Sequence, residues 1–169
     1  MAGVNVLVIC YSRTGTTEKM AKAVAKGAKS VKEAKVTIKR VEEATMDDLK
    51  EADAIIIGSP TYYGQMAAEV KKFVDESVKI HGALEGKVGG AFTSCGAMGG
   101  GCETTILSIL KAMLIHGMII QGNPQDHHYG VVSIGAPDEN VLDACKELGK
   151  RVAELAWRLK KNHSSLSSF

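Results

Sequence analysis

A surplus of charge of either sign is the first thing this chain lacks. Twenty-one Lys and Arg face 19 Asp and Glu, leaving +2 over 169 residues, too little to argue for a nucleic-acid partner. No basic run exceeds a pair such as Lys71-Lys72 or Lys160-Lys161, and such pairs suit solvated helix faces. Membrane-length apolar stretches are missing as well. The first residues lack the charged-then-apolar pattern of a secretory signal, so no membrane insertion and a cytoplasmic location are expected. Neither an internal repeat nor a Pro- or Ser-rich linker divides the chain. Residues 1–161 are therefore expected to form one domain, followed by a short, frayed, serine-rich tail over 162–169.

Paired metal-binding spacings are absent. The four cysteines, Cys10, Cys95, Cys102 and Cys145, form no C-x-x-C and no zinc-like arrangement. Cys10 lies in an apolar run and Cys145 on an apolar helical stripe, so both read as small core residues. Cys95 and Cys102 border a glycine-rich stretch and are expected to be reachable, and a reducing compartment argues against a structural disulfide. His127-His128 is no better as a metal pair, because adjacent side chains on extended backbone point apart. Surface histidines and no metal are the expectation.

Several phosphate-binding signatures are missing too. No Gly-Lys-Ser/Thr follows a glycine loop, and no G-x-G-x-x-G follows the first apolar run. Six residues after Cys10 stands Thr16, not the arginine that a cysteine phosphatase requires. Ser59-Pro60 occupies the place where a phosphoacceptor domain would carry an aspartate.

What is present is an unbroken alternation of strand and helix patterns. Val4–Cys10 is a continuous apolar run, suited to a strand covered on both faces. Met20, Val24 and Ala28 recur every fourth residue as the stripe of a first helix. Val36–Val41 reads as a second strand, and Thr45-Met46-Asp47-Asp48 resembles a capping box opening a short helix. Ala54–Gly58 is a buried third strand. Met66, Val70, Phe73, Val74 and Val78 mark a third helix. Val88–Thr93 is the fourth strand, Ile106 to Leu114 the fourth helix, and Met118–Gln121 the fifth strand, with an extension at 131–134. A long final helix starts at Pro137-Asp138. Five strand–helix units call for one parallel sheet with helices on both faces, and right-handed crossovers favour the order 2-1-3-4-5. In that order ligands sit beyond the carboxyl ends of the strands, at the switch point between strands one and three.

The loops at those ends carry the unusual residues. Ser12-Arg13-Thr14-Gly15-Thr16-Thr17 joins strand one to helix one with four hydroxyls, one glycine and no carboxylate. This composition suits a dianionic phosphate held by hydroxyls and helix N-terminal amides, although a threonine-rich helix cap would look the same in isolation. After strand three, Pro60-Thr61-Tyr62-Tyr63-Gly64 sets two of the chain's seven Phe and Tyr residues side by side, either to wall a flat heterocycle or to pack the loop. After strand four, Ser94-Cys95-Gly96-Ala97-Met98-Gly99 is small enough to bring backbone amides close to a ring; loop flexibility is the competing reading. His116, ending helix four, is a candidate ring contact or a simple partner of the helix dipole.

Together the segments YSRTGTTEKMA, GSPTYYGQMAAEVKKFVD, TSCGAMGGG and LIHGMII resemble the flavodoxin-like FMN proteins, in family order and spacing from about residue 4 to 160. The similarity is strongest to the NAD(P)H:quinone oxidoreductases once named tryptophan-repressor-binding proteins, and to short flavodoxin-family relatives. The resemblance implies an α/β flavodoxin-like three-layer sandwich and an FMN cofactor. Residues 12–17 would hold its phosphate and Thr61 to Tyr63 would line the isoalloxazine, with Pro60 and Gly64 beside them in the cofactor site; Ser94 to Gly99 would approach the ring or ribityl chain, and His116 would contact the flavin. It further implies electron transfer from NAD(P)H to a quinone-like acceptor at a face bordered by Tyr62, Tyr63, Met98 and His116, and a homo-oligomer. A non-enzymatic carrier serving redox partner proteins is the alternative. Three departures leave the acceptor open: a longer glycine loop, Arg13-Thr14 where an aromatic is common, and Lys79 or a neighbour where the quinone-site aromatic is expected.

Overall fold

A computed structural model describes residues 3–166, with side chains through residue 162. Its elements follow the expected alternation: β1 (Val4–Cys10), α1 (Thr16–Lys29), β2 (Ala34–Arg40), α2 (Met46–Glu51), β3 (Ala54–Tyr62), β4 (Gln65–Met66), α3 (Ala68–Glu76), β5 (Val88–Cys95), α4 (Cys102–Ile115), β6 (Ile119–Ile120), β7 (Val131–Ile134) and α5 (Glu139–Leu166). A 3-10 turn over Ser77–Ile80 extends α3.

The sheet has the order β2-β1-β3-β5-β6, all parallel, with β7 also beside β5. This is the expected 2-1-3-4-5 arrangement, except that the fifth position is shared by two short strands. Ile119 faces Val88 at the start of β5, and Val131 faces Phe92 nearer its end. Between them residues 121–130 leave the sheet. Pro124 cannot donate to a ladder, and the Asn123 side chain instead accepts from the Gln125 N–H at 3.2 Å.

Strand burial explains the layers. β5 is buried at every position, as a central strand covered by helices on both faces requires. On one face Val4, Val6, Val8, Ile56, Val88 and Phe92 pack against α1 and α5. On the other Leu7, Ile9, Ile55, Ile57 and Ala91 pack against α3 and α4. The backbones of α1 and α5 meet at two glycines: a Cβ on Gly27 would overlap the Lys146 carbonyl, and one on Gly149 would overlap the Val24 carbonyl.

Two expectations are corrected. Met66 is not the first residue of a helix. β3 runs on through Tyr62, turns at Tyr63 (φ 50) and Gly64 (φ 71), and returns as β4, because two successive positive φ values make a two-residue hairpin. The final helix does not stop near 161 but continues through Leu166; residues 167–169 of the expected tail lie outside the described residues. The α2 capping box is complete, Thr45 Oγ1 accepting from the Asp48 N–H and the Asp48 carboxylate from the Thr45 N–H at 2.8 Å. Among the described residues no helix is long and apolar enough to cross a membrane, and no cluster of three metal-ligating side chains occurs.

Candidate functional site

At the carboxyl ends of β1, β3, β5 and β7 lies an open cleft of about 270 Å³, lined by side chains from four separate loops. The loop after β1 contributes Arg13, Thr14, Thr16 and Thr17. Its shape follows from two local features. Gly15 has φ 89, which a residue with a Cβ adopts only under strain, and its N–H donates to the Ser12 Oγ at 3.1 Å. Ser12 is thereby buried as the pin of the turn. Gly15 caps α1, and among the described residues no side chain does, so the first-turn N–H groups of a 14-residue helix remain directed toward the cleft.

Positive charge gathers behind the loop. An Arg40 guanidinium N–H donates to the Ser12 carbonyl at 3.2 Å, and Lys19 Nζ donates to the Pro137 carbonyl at 3.4 Å. The acid in this turn, Glu18, is engaged elsewhere: Lys22 lies 2.6 Å away and holds its carboxyl below the usual range.

Hydrogen bonds between hydroxyls lock the loops to one another. Thr17 Oγ1 and Ser94 Oγ sit 2.9 Å apart, buried, joining the α1 turn to the end of β5. Thr93 gives its hydroxyl proton to the Ser59 carbonyl at 2.7 Å, so in its 3.0 Å contact with Thr61 the donor is Thr61. Pro60, Thr61 and Tyr62 form the second wall and Ser94, Cys95 and Gly96 the third. Among the described residues, six hydroxyl-bearing side chains and one guanidinium line the cleft, and no carboxylate or histidine does.

Not every residue singled out in the sequence comes to this place. Tyr63 is fully exposed at the hairpin tip, and Met98 is 89% exposed on the glycine loop. Gly64, Ala97 and Gly99 do not line the cleft either, and Ser12 and Gly15 shape the first loop without lining it. His116 is at the opposite end of the sheet, next to Gly117, whose carbonyl accepts from the Gly86 N–H just ahead of β5. The length of β5, roughly 23 Å at about 3.3 Å per residue, separates it from Ser94 and Cys95. Ser77 donates its proton to the Val74 carbonyl at 2.6 Å, so His116 Nε2 is the donor in their 2.7 Å bond. Burial, then the neighbouring His81, pushes the His116 pKa down. It is a histidine at the edge of the core, remote from the cleft.

Two residues without a sequence signal of their own also line the cleft: Gly135 and Ala136, directly after β7. Their position beyond the carboxyl end of the fifth strand was the available signal. A second finding overturns an expectation: Cys95 and Cys102 are joined in a disulfide across the glycine loop. The end of β5 and the first residue of α4 bring the two sulfurs together, a proximity that sequence spacing alone does not reveal. Cys10 and Cys145 are free and buried, as expected.

A family profile described as "Flavodoxin domain" matches residues 7–110. A protein of Archaeoglobus fulgidus named NAD(P)H dehydrogenase (quinone) is 40% identical, over 91% of this chain and 98% of its own length. An Aquifex aeolicus protein named flavodoxin is also 40% identical, over 88% of this chain and 85% of its own. Among solved structures, a flavodoxin, WrbA-like protein from Agrobacterium tumefaciens superposes with a TM-score of 0.79 at 28% identity, covering 92% of this chain and 99% of that one. A flavodoxin from the domain Archaea gives 0.77 at 31%, covering 90% and 99%.

Proposed function

We propose that the cleft holds flavin mononucleotide, and the premise is one of kinship: the chain belongs to the flavodoxin family. The observation that carries the reading is the lining itself, six hydroxyls and a guanidinium without a carboxylate, set at a helix N-terminus that no side chain caps. A phosphate entering it gives up hydration and needs donors in exchange. Ser12 Oγ accepts from the Gly15 N–H and so holds the turn that presents Thr14 and Thr16. Thr14 and Thr16 converge with hydroxyls 3.3 Å apart, and the α1 amides supply directed donors backed by the helix dipole. Pro60, Thr61 and Tyr62 with Ser94, Cys95 and Gly96 would hold the ring, and Gly135 and Ala136 close the remaining side.

When bound, the flavin supplies hydride and electron transfer, and the protein's part is to bind it, orient it and shape its surroundings. Among the described residues no carboxylate or histidine lines the cleft, so proton movement at the ring would fall to water. The leading reading is a cytoplasmic oxidoreductase passing electrons from NAD(P)H to a quinone-like acceptor. The relative named NAD(P)H dehydrogenase (quinone) supports it. A carrier that hands electrons to partner proteins is the second reading. The equally similar relative named flavodoxin favours it, as do the apolar groups exposed beside the cleft at Tyr63 and Met98.

One assay separates the two. FMN-loaded chain is given NADH or NADPH with and without benzoquinone, and nucleotide consumption is followed at steady state while oligomer size is measured in parallel. Sustained, acceptor-dependent turnover is expected. Retention of one FMN per chain without turnover would transfer the assignment to the carrier, and a chain that takes up no FMN would contradict both.

A further inference from the structure

The cofactor cradle leaves one piece of chemistry unused: the sulfur pair beside it. Cys95 ends β5 and lines the cleft, Cys102 opens α4, and the bond between them closes a loop of six residues, Gly96 to Gly101. As a structural staple it has little to do. A cross-link restrains the unfolded chain least when the loop it closes is short, and both ends of this one are already held by a strand and a helix. The tip of the loop packs loosely: residues 96–100 are exposed and a Cβ on Gly96 or Gly99 would meet nothing within 4 Å, whereas Gly101 abuts the Gly64 backbone. Opening the bond disturbs little there.

The surroundings also suit the reduced state. Cys95 Sγ lies 3.4 Å from the Ala97 carbonyl oxygen, an acceptor that a disulfide sulfur cannot use and a thiol can. Cys102 is the first residue of a 14-residue helix capped by Gly101 without a side-chain partner among the described residues, which sets its sulfur at the positive end of the α4 dipole. The other two cysteines stand in contrast. Burial pushes the Cys10 thiol up to about 11 and the Cys145 thiol up to about 12, which keeps both protonated and inert.

We propose that Cys95 and Cys102 form a second two-electron redox centre, exchanging an electron pair with the flavin of the same cleft; the proposal rests on the flavin reading above. In the reducing direction the sulfur–sulfur bond breaks as it accepts two electrons from reduced flavin. Two protons, one released by the reduced flavin and one taken from water, complete two thiols, and the flavin is left oxidised. The chain thereby gains flavin-dependent disulfide reduction as an internal activity and stores four electrons where the flavin alone stores two. In the oxidoreductase reading NAD(P)H would supply those electrons, and in the carrier reading a reduced partner protein would.

The test counts thiols. FMN-loaded chain is reduced anaerobically by light with EDTA, quenched into denaturant containing an alkylating reagent, and weighed by mass spectrometry. Two alkylated cysteines are expected before illumination, four after it, and two after the same illumination of FMN-free chain. The Cys102→Ser variant should show three throughout, and its uptake in a reductive titration should fall from four electrons per chain to two. A count that stays at two while the flavin bleaches overturns the sulfur proposal and leaves the flavin reading standing. Four thiols before illumination, or an equal rise without FMN, overturns it as well. A chain that binds no FMN overturns both.

Discussion

Replacing Thr16 by glutamate is expected to strip flavin mononucleotide from the cleft. Thr16 is the first residue of α1, lines the cleft and holds its hydroxyl 3.3 Å from that of Thr14. A carboxylate there would sit beside the phosphate. Two unit charges about 4 Å apart repel by about 4 kcal/mol at an effective dielectric of about 20, and the phosphate carries nearly two. Relaxation and screening reduce that figure, yet half of one pair's repulsion, about 2 kcal/mol, already weakens binding about 30-fold, and the second charge carries the loss past about 100-fold. The substitution is informative because it should not harm the fold. A carboxylate in the first turn of a helix is stabilising toward the helix dipole. Equilibrium titration should therefore show the affinity lost while the thermal midpoint of the FMN-free variant holds. Unchanged affinity would mean that the phosphate lies elsewhere.

The seam between α1 and α5 carries the second large effect. Alanine at an ordinary mid-helix glycine stabilises by about 1 kcal/mol, so Gly149→Ala would raise the melting temperature if the site had room. It has none, because the new Cβ would overlap the Val24 carbonyl of α1, and Gly27 meets the Lys146 carbonyl of α5 in the same way. Backbone cannot rotate aside as a side chain does, so the helices must separate and uncover the buried Met20, Val24, Leu148 and Val152. We expect a loss of about 3 kcal/mol, at the upper end of overpacking costs, and a fall in melting temperature of about 6–12 °C for a domain of this size. A rise would show that the helices are farther apart than described. The seam matters to function, since α1 presents its N-terminus to the cleft and any shift of its axis moves the phosphate loop.

The parts of this fold that sequence reveals are those governed by local pattern. The apolar run at Val4–Cys10, the four-residue recurrence of Met20, Val24 and Ala28, and the capping box at Thr45 each encode their own element, and parallel topology then dictates the strand order. Unusual residues in three loops point to the end of the sheet where the cleft lies. What stays hidden depends on through-space placement. Met66 fits a helical stripe because it is apolar at the right interval, yet the positive φ values at Tyr63 and Gly64 turn it into a strand. His116 follows a helix, and only the sheet's direction shows that this helix ends away from the cleft. Cys95 and Cys102 are seven residues apart with nothing between to signal a bond; the strand–loop–helix geometry makes them neighbours. Gly135 and Ala136 carry no polar side chain, so only the position of β7 exposes them as lining.

The most direct test of the anchoring loop compares two ligands that differ by the phosphate alone. Calorimetric titration of the FMN-free chain with flavin mononucleotide and with riboflavin isolates what Ser12 to Thr17 contribute. Hydrogen bonds to a charged group are each worth about 1.5–3 kcal/mol, so two of them make FMN bind at least about 100-fold more tightly than riboflavin, with one FMN per chain. Equal affinity for the two, or no binding of either, would contradict the central claim that this chain holds its cofactor by the phosphate at the start of α1.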